Sequence, residues 1–107
     1  MGFVYLLITW DDCDPVYKIG VTKHKNIDLK RIKSLQTGNS SEILLVRKYE
    51  SKNYFKIEKM LHNHYFNEHI KGEWFKLTDE QANEFITKCK FFDKTINLLL
   101  KENPFYN

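Results

Sequence analysis

Gly2-Phe3-Val4-Tyr5-Leu6-Leu7-Ile8-Thr9, followed a short polar loop later by Val16-Tyr17-Lys18-Ile19-Gly20-Val21-Thr22, decides the fold of this chain. The first stretch is rich in β-branched and aromatic residues, and both of its alternating faces, Phe3/Tyr5/Leu7 and Val4/Leu6/Ile8, are apolar. A strand apolar on both faces must be covered on both, so Gly2 to Thr9 is expected to be a buried central strand. Trp10-Asp11-Asp12-Cys13-Asp14-Pro15 is polar turn material. Val16 to Thr22 then returns as a second strand, in a β-hairpin or as a close neighbour of the first.

Outward from this pair the period changes to helical. Asn26 or Asp28 can cap a short helix running to about Gln36, with Leu29, Ile32 and Leu35 on one stripe and Gly38 ending it. Glu42 to Glu50 reads as a third strand. Ser51 opens a helix to about Phe66 whose inward stripe is Tyr54, Ile57, Leu61 and Tyr65, with Glu58 and His62 at its border. Gly72 to Leu77 is a short extended piece. Thr78-x-x-Gln81 is a capping box for a last helix at about 79–101, where Ala82, Phe85, Cys89, Phe92, Ile96 and Leu99 keep the helical period, with a possible break near Asp93. The order β-β-α-β-α-β-α predicts an α+β fold with a small, mainly antiparallel central sheet flanked by helices.

The chain has 107 residues, 42% of them hydrophobic and 15% aromatic, which suits one domain with a real core rather than a disordered segment. Phe3 to Ile8 is far shorter than the ~20 residues of a membrane span, no basic segment precedes it, and Leu6 stands where N-myristoylation wants Ser or Thr. A soluble, intracellular protein of cytoplasm or nucleus is expected. Cys13 and Cys89 make no disulfide framework and have no metal-ligand spacing, in keeping with a reducing setting.

Net charge is only +3, but it is unevenly spread. Residues 16–62 hold 11 Lys or Arg against 4 Asp or Glu, while the rest of the chain holds 6 against 10. The basic half is the part to inspect for a polyanionic partner. Lysines supply 15 of the 17 basic residues, so Arg31 and Arg47 stand out.

The tripeptides Phe3-Val4-Tyr5 and Lys18-Ile19-Gly20 lie on adjacent strands, Arg31 is on the helix after them, and Glu58 is on the next helix within Ile57-Glu58-Lys59-Met60-Leu61-His62. In this ordered set the chain resembles the GIY-YIG nuclease superfamily. Tyr17 to Thr22, Leu61-His62 and Gly72-Glu73-Trp74-Phe75 are similar to the short single-domain branch found in phages and large DNA viruses. The resemblance covers about residues 2 to 78. Three positions depart from the family pattern: Phe3 replaces a glycine, Lys18 replaces the namesake tyrosine, and Leu35 stands where several members carry a histidine.

The resemblance implies a metal-dependent DNA endonuclease comprising the whole of residues 1–107. Tyr5 would be the general base, Lys18 and Arg31 would stabilise the phosphate, and Glu58 would hold a single Mg²⁺ or Mn²⁺. Tyr17 and His62 would stand behind these groups. Lys23, Lys25, Lys30 and Lys33 would contact DNA phosphates, and a homodimer would serve double-strand cutting. Phosphodiester hydrolysis has uses for these residue types. A carboxylate is a hard ligand suited to Mg²⁺, an arginine fork clamps phosphate, and a phenol acts as base once nearby cations bring its pKa below the usual ~10.

Other readings of the same residues remain open. Tyr5 on an apolar strand is ordinarily a core tyrosine with a satisfied hydroxyl. Glu58, between Ile57 and Leu61, is costly to desolvate unless a cation meets it, either a metal or Arg31. Glu58 and His62 have the i, i+4 spacing of helix metal ligands, but His62, His64 and His69 lack the further ligands of a zinc site. Asp11, Asp12 and Asp14 lack the glycine and terminal glutamate of a calcium loop. Trp74 and Phe75 read as packing residues, with base stacking the alternative for Trp74. A catalytically inactive DNA- or protein-binding module is the alternative to an enzyme.

Overall fold

Alternate residues of one long strand face opposite sides of an antiparallel sheet, and the rest of the fold is arranged around that division. The computed structural model describes residues 1–28, 32 and 42–102. Among these, the elements in chain order are β1 (Gly2–Asp11), β2 (Asp14–Thr22), β3 (Leu44–Ser51), α1 (Tyr54–His64), a 3₁₀ turn (Phe66–Glu68), β4 (His69–Lys71), β5 (Trp74–Phe75), α2 (Asp79–Asn83) and α3 (Phe85–Glu102). The five strands lie in the order β3-β1-β2-β5-β4, all pairs antiparallel, which bears out the expected α+β class.

β1 lies inside the sheet between β3 and β2 and is covered on both faces, as its two apolar faces require. Val4 and Leu6 join Ile19, Ile57, Leu61, Phe85, Cys89 and Ile96 in the main core beneath α1 and α3. Tyr5 and Leu7 point the other way and form a second, smaller cluster with Ile43, against which Ile27 and Ile32 pack. The Ile32 N–H donates to the Asp28 carbonyl at 3.1 Å, a helical i to i−4 bond. The remainder of the helix expected to run to Gln36, including Arg31, Lys30, Lys33 and Leu35, lies outside the described residues.

Several boundaries differ from expectation for local reasons. The β1–β2 pairing runs to Asp11 and Asp14, so the loop is only Asp12-Cys13, both at positive φ (48° and 72°). Positive φ at both central residues matches the twist of a two-residue hairpin. Ser51 is the last residue of β3 and does not open α1; its Oγ accepts from the Asn53 N–H and donates to Asp93. The expected stripe Tyr54, Ile57, Leu61 and Tyr65 is buried throughout.

At the C-terminal end, Thr78 and Gln81 form the expected capping box, with bonds of 3.1 and 2.9 Å. The break then falls at Glu84, whose carboxylate accepts from the Tyr65 hydroxyl at 2.8 Å. Asp93 is inside α3, and its carboxylate accepts from Tyr49, Ser51 and Asn53 at 2.7–2.8 Å. Those bonds tie α3 to β3 and to the first turn of α1. Leu99 is 39% exposed and so lies off the buried stripe. No helix among the described residues is long and apolar enough to cross a membrane.

Candidate functional site

Tyr5 is 6% exposed and its neighbour across the β1–β2 ladder is Gly20. A methyl group on Gly20 would overlap the Tyr5 phenol, so glycine is required there for the ring to lie across β2. This supplies a physical reason for the glycine of the second tripeptide. Beside the phenol opens a cleft of about 410 Å³ lined by Tyr5, Thr22, His24, Asn26, Asp28 and Ile32, among others.

Lys18 is two residues from Gly20 on the same face of β2 and opposite Leu7. Its ammonium donates to Glu73 Oε2 at 2.7 Å and stands 5.7 Å from the centre of the Trp74 ring. The pair is partly shielded, with side-chain exposures of 17% for Lys18 and 42% for Glu73. β5 brings Glu73 here: Lys18 pairs with Trp74 in the sheet, and the Ile19 N–H donates to the Glu73 carbonyl at 3.1 Å. Glu73 is the site residue that sequence reasoning missed. Its only local signal was a carboxylate between a turn glycine and two packing aromatics, which does not reveal its partner.

Glu58 projects from α1, and its Oε2 is buried without a hydrogen-bond partner. An uncompensated carboxylate oxygen is costly, so the position carries a cost that function can explain. Burial and the Glu73 charge push its carboxyl pKa up, against the opposing influence of His62, Lys18 and Lys59. One turn along, His62 Nε2 donates to the Ile19 carbonyl at 2.9 Å and its ring meets Phe75 edge-on at 4.9 Å. That bond anchors the Glu58 turn of α1 to β2.

Burial, then the charges of Glu73 and Glu58, push the Tyr5 phenol up to about 12. Of the cations expected to lower it, Lys18 is not among the influences on the phenol, and Arg31 lies outside the described residues. The Lys18 charge is spent on Glu73, leaving two carboxylates to dominate the surroundings of the phenol. Tyr17 is also placed differently from expectation, because it takes the opposite face of β2 and is buried in the main core. Lys23 and Lys25 are exposed just after β2. Arg31, Lys30 and Lys33 are outside the described residues, so the structure brings together Tyr5, Lys18, Glu58, His62 and the additional Glu73.

No group of three or more His, Cys, Asp or Glu among the described residues is placed to hold a metal on its own. That is compatible with Mg²⁺, which keeps several waters and takes one or two carboxylates. The half-buried Glu58 carboxylate, with an oxygen unpaired, is a hard donor of the kind such an ion takes. The fold and site together describe a small antiparallel α+β domain with a cleft beside the Tyr5 phenol on one sheet face and the Glu58 and Glu73 carboxylates close enough to act on that phenol. Residues 2–90 match the T5orf172 domain, and the chain belongs to that family. No curated protein and no solved structure matches it.

Proposed function

We propose that the chain is a metal-dependent DNA endonuclease of the GIY-YIG type, with Tyr5 as general base, Lys18 and Arg31 stabilising phosphate, and Glu58 as ligand to Mg²⁺ or Mn²⁺. The observation that carries this reading is the unpaired, buried Oε2 of Glu58 in the same charged locality as the Tyr5 phenol and Lys18. Membership of a phage-type family compatible with nuclease or DNA-binding activity supports it.

Glu58 would hold the metal, which when bound supplies Lewis-acid stabilisation of phosphate charge. Gly20 leaves room for Tyr5, and Ile27 and Ile32 pack beside the phenol's cluster, limiting water around it. The Tyr5 hydroxyl is protonated at neutral pH in the surroundings described and first acts as a hydrogen-bond donor toward a phosphate or water. Once deprotonated, the Tyr5 phenolate would take a proton from the attacking water; a cation held by Glu58 would lower the cost of that phenolate. Lys18 would have to exchange Glu73 for a phosphate to serve this role. Two chains acting as a homodimer would account for cutting both strands.

Plasmid nicking in Mg²⁺ or Mn²⁺ tests the assignment. Wild type is expected to nick at a rate that rises with pH, since the phenol must lose its proton. Glu58→Gln and Tyr5→Phe are expected to lower the rate at least 100-fold, at the scale of a lost acid–base or electrostatic group. Wild type and both variants behaving alike would overturn it. The raised phenol pKa and the Lys18–Glu73 pair favour a second reading, a DNA-binding module without turnover. Salt-sensitive DNA affinity with no nicking under any divalent ion would select that reading.

A further inference from the structure

The side of the cleft away from Glu73 carries an arrangement that the catalytic scheme does not use. Lys48 on β3 pairs with Tyr5 in the β1–β3 ladder and shares its face, because its ammonium lies 5.3 Å from the centre of the Phe3 ring. The same ammonium donates to the Lys25 carbonyl at 2.7 Å. Lys25 lies between His24 and Asn26, both of which line the cleft. Lys48 is therefore held at the rim of the cleft by one hydrogen bond and one ring, with two ammonium donors to spare.

The ion pairs Lys18–Glu73 and Lys76–Asp14 involve none of Lys23, Lys25 and Lys48. Glu50 stands opposite Phe3 in the β1–β3 ladder, and Asp28 lies in the cleft wall. Arg47 pairs with Leu6, whose side chain enters the main core, so it belongs to the other face. From Lys48 to Lys18 there are two strand spacings and two residues of rise, about 12 Å between backbones, with Tyr5 between them. A polyanion crossing the strands from Lys48 toward Lys18 passes over the phenol.

We infer that Lys48, with Lys23 and Lys25, forms a phosphate-binding ledge that leads a DNA strand into the Tyr5 cleft. The inference rests on the nuclease reading for the identity of its partner but not on turnover. Contacts of this kind position the backbone and read no sequence.

Fluorescence anisotropy of a labelled DNA duplex, in EDTA and across a salt series, tests the ledge apart from catalysis. Lys48→Gln is expected to weaken binding several-fold at low salt and to reduce the steepness of log K against log salt by about 0.9. Lys48→Arg should restore the slope, and Lys90→Gln, at an exposed position of α3, should leave it unchanged. A Lys48→Gln slope equal to wild type overturns the ledge, as does a wild type that binds no duplex. Binding with the expected slope change but no nicking leaves the ledge standing and removes the nuclease reading. Nicking with an unchanged slope does the reverse.

Discussion

On the face of the sheet that meets α1 and α3, Val4, Leu6 and Ile19 have no exposed surface and sit within the main apolar core. On the other face the alternate residues of the same strands are Tyr5, Lys18 and Gly20, set beside a cleft and two carboxylates. The first face gains from every methylene it buries, at about 25 cal/mol per Å². The second holds a phenol pushed up to about 12, an ion pair and, from the flank of α1, a carboxylate oxygen with no partner. A strand with period two can therefore serve both ends at once: one set of side chains stabilises the fold while the other carries the cost of polar chemistry.

Substitutions on the two faces should separate accordingly. Leu61→Ala removes a fully buried side chain from the core of α1 and should destabilise by about 3 kcal/mol, visible as a fall of more than about 10 °C in Tm. Its DNA affinity at low temperature should stay near wild type; a large loss of affinity in the folded variant would break the division between faces.

Asp93→Ala should come next, at about 2 kcal/mol, because it strips the shared acceptor from Tyr49, Ser51 and Asn53. Burial alone would raise the Asp93 carboxyl, but hydrogen bonds from Asn53, Tyr49 and Ser51 and the Lys52 charge outweigh it and hold it below its ordinary range. Its stabilisation is therefore present above the unfolded pKa of about 4 and lost as pH falls through the lower folded value. Denaturant titrations should show the wild-type advantage at neutral pH and its disappearance in strong acid. A constant difference at every pH would show that the bonds do not depend on the ionised form.

The smallest stability change should have the opposite sign. Glu58→Gln replaces a carboxylate whose raised pKa means that its contribution is present below about pH 4.5 and lost as pH rises through the folded value. At neutral pH without divalent ions the variant should be more stable, by about 0.5–1 kcal/mol after allowance for solvent on the open side of the group. Lower stability at neutral pH would mean that Glu58 is a structural residue. Higher stability together with lost nicking would place it among residues whose cost is kept for function.

The parts of the fold legible in the sequence were those whose period is local. A β-branched and aromatic run apolar on both faces located β1, the return after a polar turn located β2, 3-and-4 spacing located the buried stripe of α1, and Thr78-x-x-Gln81 located the start of α2. The three exposed residues of β4 are too few to show a pattern, and their pairing with β5 was invisible. Asp93 suggested a helix break by its type, yet its hydrogen bonds to residues 40–44 positions away make it a tie within α3. At the site, Tyr5, Lys18 and Glu58 could be singled out by type and order. Glu73 could not, because its significance lies in pairing with Lys18, 55 residues away.

Local pattern was enough to place β1 inside the sheet, to bury Ile57 and Leu61 on α1, and to gather the basic residues in residues 16–62. Each follows from spacing within one segment or from composition. Long-range pairing set Glu73 against the Lys18 charge, turned Tyr17 into the core and held Lys48 at the rim of the Tyr5 cleft. Those outcomes depend on register between strands distant in the chain, where a shift of one residue would send every side chain to the opposite face.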